Sequence, residues 1–319
     1  MPILLLGGLI LILIGAELFT NAAEWLSRRL NLSSTVTGNI LAAVGTALPE
    51  SVIPIVALYR GGQMEIASGA VFGAPFMLGT LAFALCGLTA ILCSRRVIKV
   101  DKKQFSFELS YILLMFAVFF ISCLGGARLE RTAAVFLLGA YGYYVWRMCR
   151  TKNVRSTEYL RPLYLSRNGA RFWLIIMQLV LGLTMILGGA EFFILGIAEA
   201  TEYFGVSALV LSLILAPIAT ELPEKFNSVI WILQGKDDLA LGNITGALVF
   251  QCTVIPGLIM LKTTLDIDLA AIYSAVILVL SLGGIYLCGV RKDKVYAIVL
   301  LGGFFWYGCF IALLFWSII

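Results

Sequence analysis

The 319-residue sequence contains no histidine, and its seven cysteines stand singly, with no Cys-x-x-Cys pair. These gaps exclude imidazole metal sites, histidine proton relays, haem held by histidine and cysteine-type zinc clusters. The cysteines read as small apolar fillers of helices. Charge is also scarce: Asp, Glu, Lys and Arg make up 13% of the chain, against 61% apolar residues. A soluble domain carries about a quarter charged residues, so this chain cannot cover itself with polar surface in water. No nucleophile–base pair or phosphate loop is present, so an enzyme is not expected. The net charge of +5 calls for no nucleic-acid partner. The longest polar stretch, 150–171, is short and basic. It reads as a loop, with contact to anionic lipid as a second option.

What the sequence has in abundance is long apolar runs. A helix needs roughly 20 apolar residues to cross a bilayer. Ten ranges qualify: 3–26, 35–59, 66–93, 105–124, 132–149, 172–198, 206–233, 239–261, 268–289 and 295–318. The first lacks the basic start of a signal peptide and is too long for one, so it counts as a membrane helix. Lys and Arg concentrate in cytoplasmic loops. With the N-terminus outside, eighteen of these residues fall in inside loops and four in outside loops. Both termini are therefore expected outside.

The chain repeats itself. Gly15-Ala16-Glu17 recurs as Gly189-Ala190-Glu191. Thr46, Leu48, Pro49 and Glu50 recur as Thr220, Leu222, Pro223 and Glu224, at the same offset of 174 residues. Gly69 and Gly73 recur as Gly242 and Gly246 after one residue of slippage. The second copy begins five spans after the first. Five is odd, so the copies cross the membrane in opposite senses, the inverted-repeat plan of secondary transporters. The expected fold is an all-α integral membrane protein of ten transmembrane helices in two inverted-topology five-helix repeats, residues 1–149 and 172–319, joined by the basic cytoplasmic loop 150–171.

Pro49 and Pro223 sit inside spans and are expected to interrupt them. Each lacks an N–H and frees a carbonyl four residues back, that of Gly45 or Ala219. In lipid a freed carbonyl must find a partner, and a cation is one such partner. Glu50 and Glu224 follow these prolines. A carboxylate at membrane depth is costly and is a functional candidate by default. Thr46 and Thr220 stand four residues before them, on the same helix face. Two carboxylates, two hydroxyls and two carbonyls form a hard-oxygen set that suits Ca²⁺. Glu17 and Glu191 read equally well as gate contacts or as packing pairs. Asn21, Asn39 and Asn243 are candidates for interhelical hydrogen bonds, and Gly45, Ala47, Gly69, Gly73 and Gly246 for close helix approach.

Residues 45–50 (Gly-Thr-Ala-Leu-Pro-Glu) and 219–224 (Ala-Thr-Glu-Leu-Pro-Glu) resemble the paired G-T-S-x-P-E motifs of the cation/calcium antiporter superfamily. Residues 69–75 and 242–248 resemble its G-N-x-x-G-S-N motifs. The resemblance covers both repeats. It implies exchange of Ca²⁺, or a similar cation, for Na⁺ or H⁺ by alternating access in a prokaryotic inner membrane, without any organic cofactor. Several motif positions depart from the family pattern. The motif serines are Ala47, Glu221, Ala74 and Ala247 here, and the downstream Asn or Asp positions hold Leu78 and Gln251. Fewer oxygen ligands remain for Na⁺, which adds weight to proton coupling; Gln251 is kept as a candidate ligand.

Lys225 directly follows the second Pro-Glu. Glu221 and Lys225 are four apart in the favourable order and form either a mutual salt bridge or a counter-charge built into the ion site. These departures also motivate an alternative: a degenerate member with altered selectivity or no transport, serving as a membrane interaction protein.

Overall fold

The computed structural model describes residues 1–29, 43–59, 63–150, 162–166, 171–291 and 294–318. Asn39 and most of the basic loop lie outside them. Among the described residues a helix stands at each of the ten expected ranges. They are α1 (Pro2–Arg29), α2 (Ala43–Tyr59), α3 (Met64–Leu92), α4 (Lys102–Leu124), α5 (Ala127–Arg150), α6 (Phe172–Phe204), α7 (Ala208–Leu233), α8 (Asp237–Met260), α9 (Leu269–Gly284) and α10 (Ala297–Ile318). A π-helical turn at Leu78–Ala82 lies within α3, and another at Ile285–Gly289 extends α9. Among the described residues, seven helices are long and apolar enough to cross a membrane. The sequence writes several of the boundaries directly. Asp101 and Asp268 cap α4 and α9 through their carboxylates. Gly205 and Gly235, both left-handed, end α6 and α7.

The expected interruption at Pro49 and Pro223 is not found in the backbone. α2 and α7 stay helical across both residues. A proline removes one N–H from the ladder, and neighbouring turns can hold the backbone helical around it.

The helices pack into two compact units that cut across the sequence halves. One comprises residues 1–61 and 142–205, and the other 62–141 and 206–319. In the first unit α1 and α6 lie antiparallel along most of their length. On α1, Ile3, Leu6, Ile10 and Ile14 form an exposed apolar stripe, while Ile12 is fully buried. Exposed apolar side chains at helical spacing are what a lipid-facing surface requires.

The buried face is built on glycine. A Cβ placed on Gly8 would lie 2.6 Å from the Gly189 carbonyl oxygen, and one on Gly15 2.8 Å from that of Gly182. The reciprocal distances are 2.7 Å from Gly189 to the Gly8 oxygen and 2.8 Å from Gly182 to the Gly15 oxygen. Gly182 and Gly189 are Gly8 and Gly15 displaced by 174 residues. Each helix therefore presents the same patch to the other, as in an isologous two-fold contact. The same symmetry appears at Phe19 and Phe193, whose amides face Gly182 and Gly8. α2 packs against both helices of this pair. The described part of the basic loop also belongs to this unit. Leu163 is buried with Ala22 and Ile175, and Trp25 and Leu26 pack against them.

In the second unit the loops meet at two opposite ends. At one end β1 (Val97–Lys99), β3 (Lys294–Tyr296) and β2 (Val290–Arg291) form a small antiparallel sheet in the order β1-β3-β2. Beside it Arg95 pairs with Asp237, and the Lys99 amide donates to the same carboxylate at 2.9 Å. At the other end the Asp266 amide donates to Ser68 Oγ at 2.9 Å, and the Leu265 amide donates to the buried Glu130 carboxylate at 3.3 Å. The first end gathers three loops that charge assigned to one face of the membrane. The second gathers loops assigned to the other.

Candidate functional site

The first motif lies on α2, in the first compact unit. Gly45, Thr46 and Glu50 are helical in backbone, and their side chains lie outside the described residues. The second motif lies on α7, in the second unit. The side chains of Ala219 and Glu224 also lie outside the described residues, whereas Thr220, Glu221 and Lys225 are described and buried.

α7 is held from two sides. Gly69 and Gly73 of α3 bring that helix backbone-to-backbone against it. A Cβ on Gly69 would lie 2.3 Å from the Leu209 carbonyl oxygen, and one on Gly73 2.2 Å from that of Leu213. Ser212 Oγ donates to the Ile66 carbonyl at 2.7 Å across the same contact. Close packing of Gly69 and Gly73 follows the sequence expectation. For Gly246, no described atom of another helix lies within 4 Å of a Cβ built there. On the other side α8 is registered antiparallel to α7 by two side-chain bonds. Asn243 Nδ2 donates to Ser228 Oγ at 3.1 Å, and Gln251 Nε2 donates to Glu221 Oε1 at 2.9 Å.

The second of these bonds belongs to a buried charged cluster. Lys225 Nζ lies 3.6 Å from Glu221 Oε2, and Glu221, Lys225 and Gln251 are all at most 2% exposed. One carboxylate thus accepts an amide hydrogen bond on one oxygen and has an ammonium at ion-pair distance from the other. Two unit charges about 4 Å apart at an effective dielectric of 20 attract by about 4 kcal/mol. The ammonium is therefore held where it is. Taking both groups out of water costs several kcal/mol per ion, so such a pair is weak evidence of a stabilising role. Five residues before Lys225, the Thr220 hydroxyl donates to the Ala216 carbonyl at 3.0 Å. Its proton is directed into the helix, which leaves the oxygen lone pairs available to a cation.

The structure also assembles a polar group that the sequence reading did not single out. Glu108, on α4, is 5% exposed. It accepts from Thr245 Oγ1 of α8 and from Gln104 Nε2 of its own helix, both at 2.5 Å. A lone carboxylate inside an apolar span was the available signal. Two of the asparagine candidates do bridge helices. Asn243 does so as described, and Asn21 on α1 accepts from Gln178 Nε2 of α6 at 2.9 Å. Glu17 is exposed and accepts from the Tyr164 hydroxyl at 2.6 Å. Among the described residues no group of three or more Cys, Asp or Glu is arranged to hold a metal ion.

Apolar helices of membrane length, lipid-type stripes and charged groups buried between helices define a polytopic integral membrane protein. The chain belongs to the sodium/calcium exchanger protein family, whose pattern matches residues 1–150 and 174–318. It is 30% identical over 271 residues to CaxA of Alkalimonas amylolytica, named as a proposed antiporter, with 84% of this chain and 83% of that one covered. It is 28% identical to the inner membrane protein YrbG of Escherichia coli K12 over 324 residues, 98% of this chain and 96% of that one. Among solved structures, an H⁺/Ca²⁺ exchanger CAX shares the fold, with a TM-score of 0.76 at 16% identity, over 98% of this chain and 81% of that one.

Proposed function

We propose that this protein is a secondary active antiporter that exchanges Ca²⁺, or a similar cation, for Na⁺ or H⁺ by alternating access. The observation that carries the reading is the retention of a Thr-x-Leu-Pro-Glu segment in both halves, on the matched helices α2 and α7. An inert helical bundle has no use for two intramembrane carboxylates, each next to a proline. Family membership and the names of the relatives support the same reading. In it the ten helices form two inverted five-helix repeats, both termini lie outside, and the basic loop 150–171 faces the cytoplasm of a prokaryotic cell. The self-complementary α1–α6 contact supports the inversion.

The ion is held by Glu50 and Glu224. Thr46, Thr220 and the carbonyls of Gly45 and Ala219 supply further oxygens, and Gln251 contributes from α8. The carboxylates neutralise a divalent ion in one half-cycle and carry Na⁺ or protons in the other. Uptake of radioactive Ca²⁺ into proteoliposomes under an imposed Na⁺ or pH gradient tests this. Gradient-driven uptake is expected, and Glu50→Gln should lower it at least about tenfold. Uptake that ignores both gradients and the substitution would leave the non-transporting, membrane-interaction reading standing.

A further inference from the structure

We propose that Lys225 is a tethered monovalent cation, seated in a site that Glu221 and Gln251 would otherwise offer to a free ion such as Na⁺. The inference deepens the antiport reading and rests on it for its consequence, which is that the tethered charge takes the place of one coupling ion. Three observations carry it. The Lys225 ammonium is 2% exposed and lies 3.6 Å from Glu221 Oε2. Gln251 holds the other carboxylate oxygen at 2.9 Å, so the pair is braced from a second helix rather than loosely matched. The cluster also sits on α7 at the second Thr-x-Leu-Pro-Glu segment, since Glu221 and Lys225 flank Pro223 and Glu224.

The charge balance gives the consequence. Glu50, Glu221, Glu224 and Lys225 together carry a formal charge of −2 when ionised, which one divalent cation neutralises. Without the ammonium the same set carries −3, and a low-dielectric interior then requires one more monovalent charge. Truncating the lysine also leaves a polar-lined space beside Glu221, which water and a small cation can enter. Glu221 supplies a carboxylate oxygen there, and Gln251 an amide oxygen after a flip of its side chain.

The test is cation-dependent thermal unfolding of the purified protein in detergent, comparing NaCl with choline chloride at equal ionic strength. Lys225→Met and Lys225→Ala should each gain a saturable Na⁺-dependent rise in Tm of about 2–4 °C beyond that of the wild type. Methylammonium should stabilise Lys225→Ala more than Lys225→Met, because only the alanine variant leaves room for an amine. Glu221→Gln combined with Lys225→Met should lose the gain. A Lys225→Met protein with no added Na⁺ response overturns the proposal. So does failure of the Lys225 variants to fold even when extracted in high Na⁺, since the vacated site should accept that ion. Wild-type protein that moves no Ca²⁺ while Lys225→Met gains the Na⁺ response would instead remove the transport reading and keep the tethered cation.

Discussion

Glu50 and Glu224 carry the functional reading, and each is open to a conservative test. Glutamine keeps the size and one oxygen but removes the charge. Loss of one carboxylate from a divalent-ion site is expected to lower gradient-driven Ca²⁺ uptake at least about tenfold, roughly 1.4 kcal/mol or more of lost binding. Glu224→Gln should match Glu50→Gln within a few fold, because the two segments are repeats. Initial uptake rates in proteoliposomes check both. Thr245 offers a purely structural contrast. Its hydroxyl donates to the buried Glu108 carboxylate. Thr245→Val removes a donor without changing the volume, and the cost is expected at about 1–3 kcal/mol. Thermal unfolding in detergent should show the loss, with ion selectivity unchanged.

At the scale of helices, the α1–α6 contact makes the sharpest claim. Four glycines meet backbone to backbone, and a Cβ at any of them would stand less than 3 Å from an opposing carbonyl oxygen. Separating two helices packed this closely is costly, because dispersion and weak polar contacts are what hold helices together in lipid. Gly8→Val and Gly189→Val are expected to destabilise alike, by about 1–3 kcal/mol or more, as the pseudo-two-fold relation requires. Gly7→Val, with no atom of a neighbouring helix within 4 Å of its Cβ position, should be tolerated. Folded yield and Tm in detergent distinguish these outcomes. The π turn in α3 is a second helix-level feature. Leu78 opens it, and Ser281 Oγ donates to the Gly79 carbonyl at 2.7 Å. A polar contact from α9 thus satisfies backbone that the wider turn loosens.

Across the whole molecule, the claim to test is topology. The Arg95–Asp237 end of the second unit and the Ser68–Asp266 end should face opposite sides of the membrane. Single cysteines introduced at Lys294 and Asp266, with all seven native cysteines replaced, should react with an impermeant maleimide from opposite sides. Asp266 should label from outside in intact cells, and Lys294 only in everted vesicles. Labelling of both from one side would remove the alternating topology and, with it, the inverted repeat.

The sequence by itself determined where the helices are. Each of the ten apolar ranges between charged breaks holds a helix among the described residues, because apolar length is the quantity a bilayer selects. The repeat at offset 174 and the pairing of Glu221 with Lys225 were likewise legible, since both are local spacings. Only the tertiary structure decided which helices are partners. In lipid the face toward a neighbour and the face toward the acyl chains are both apolar, so no polarity contrast marks the contact. For that reason α1 pairing with α6 across the halves, the Glu108–Thr245 bond and the bracing of Glu221 by Gln251 were visible only once the chain was folded. Each depends on residues far apart in the chain, 137 positions for Glu108 and Thr245 and 30 for Glu221 and Gln251, which only folding brings together.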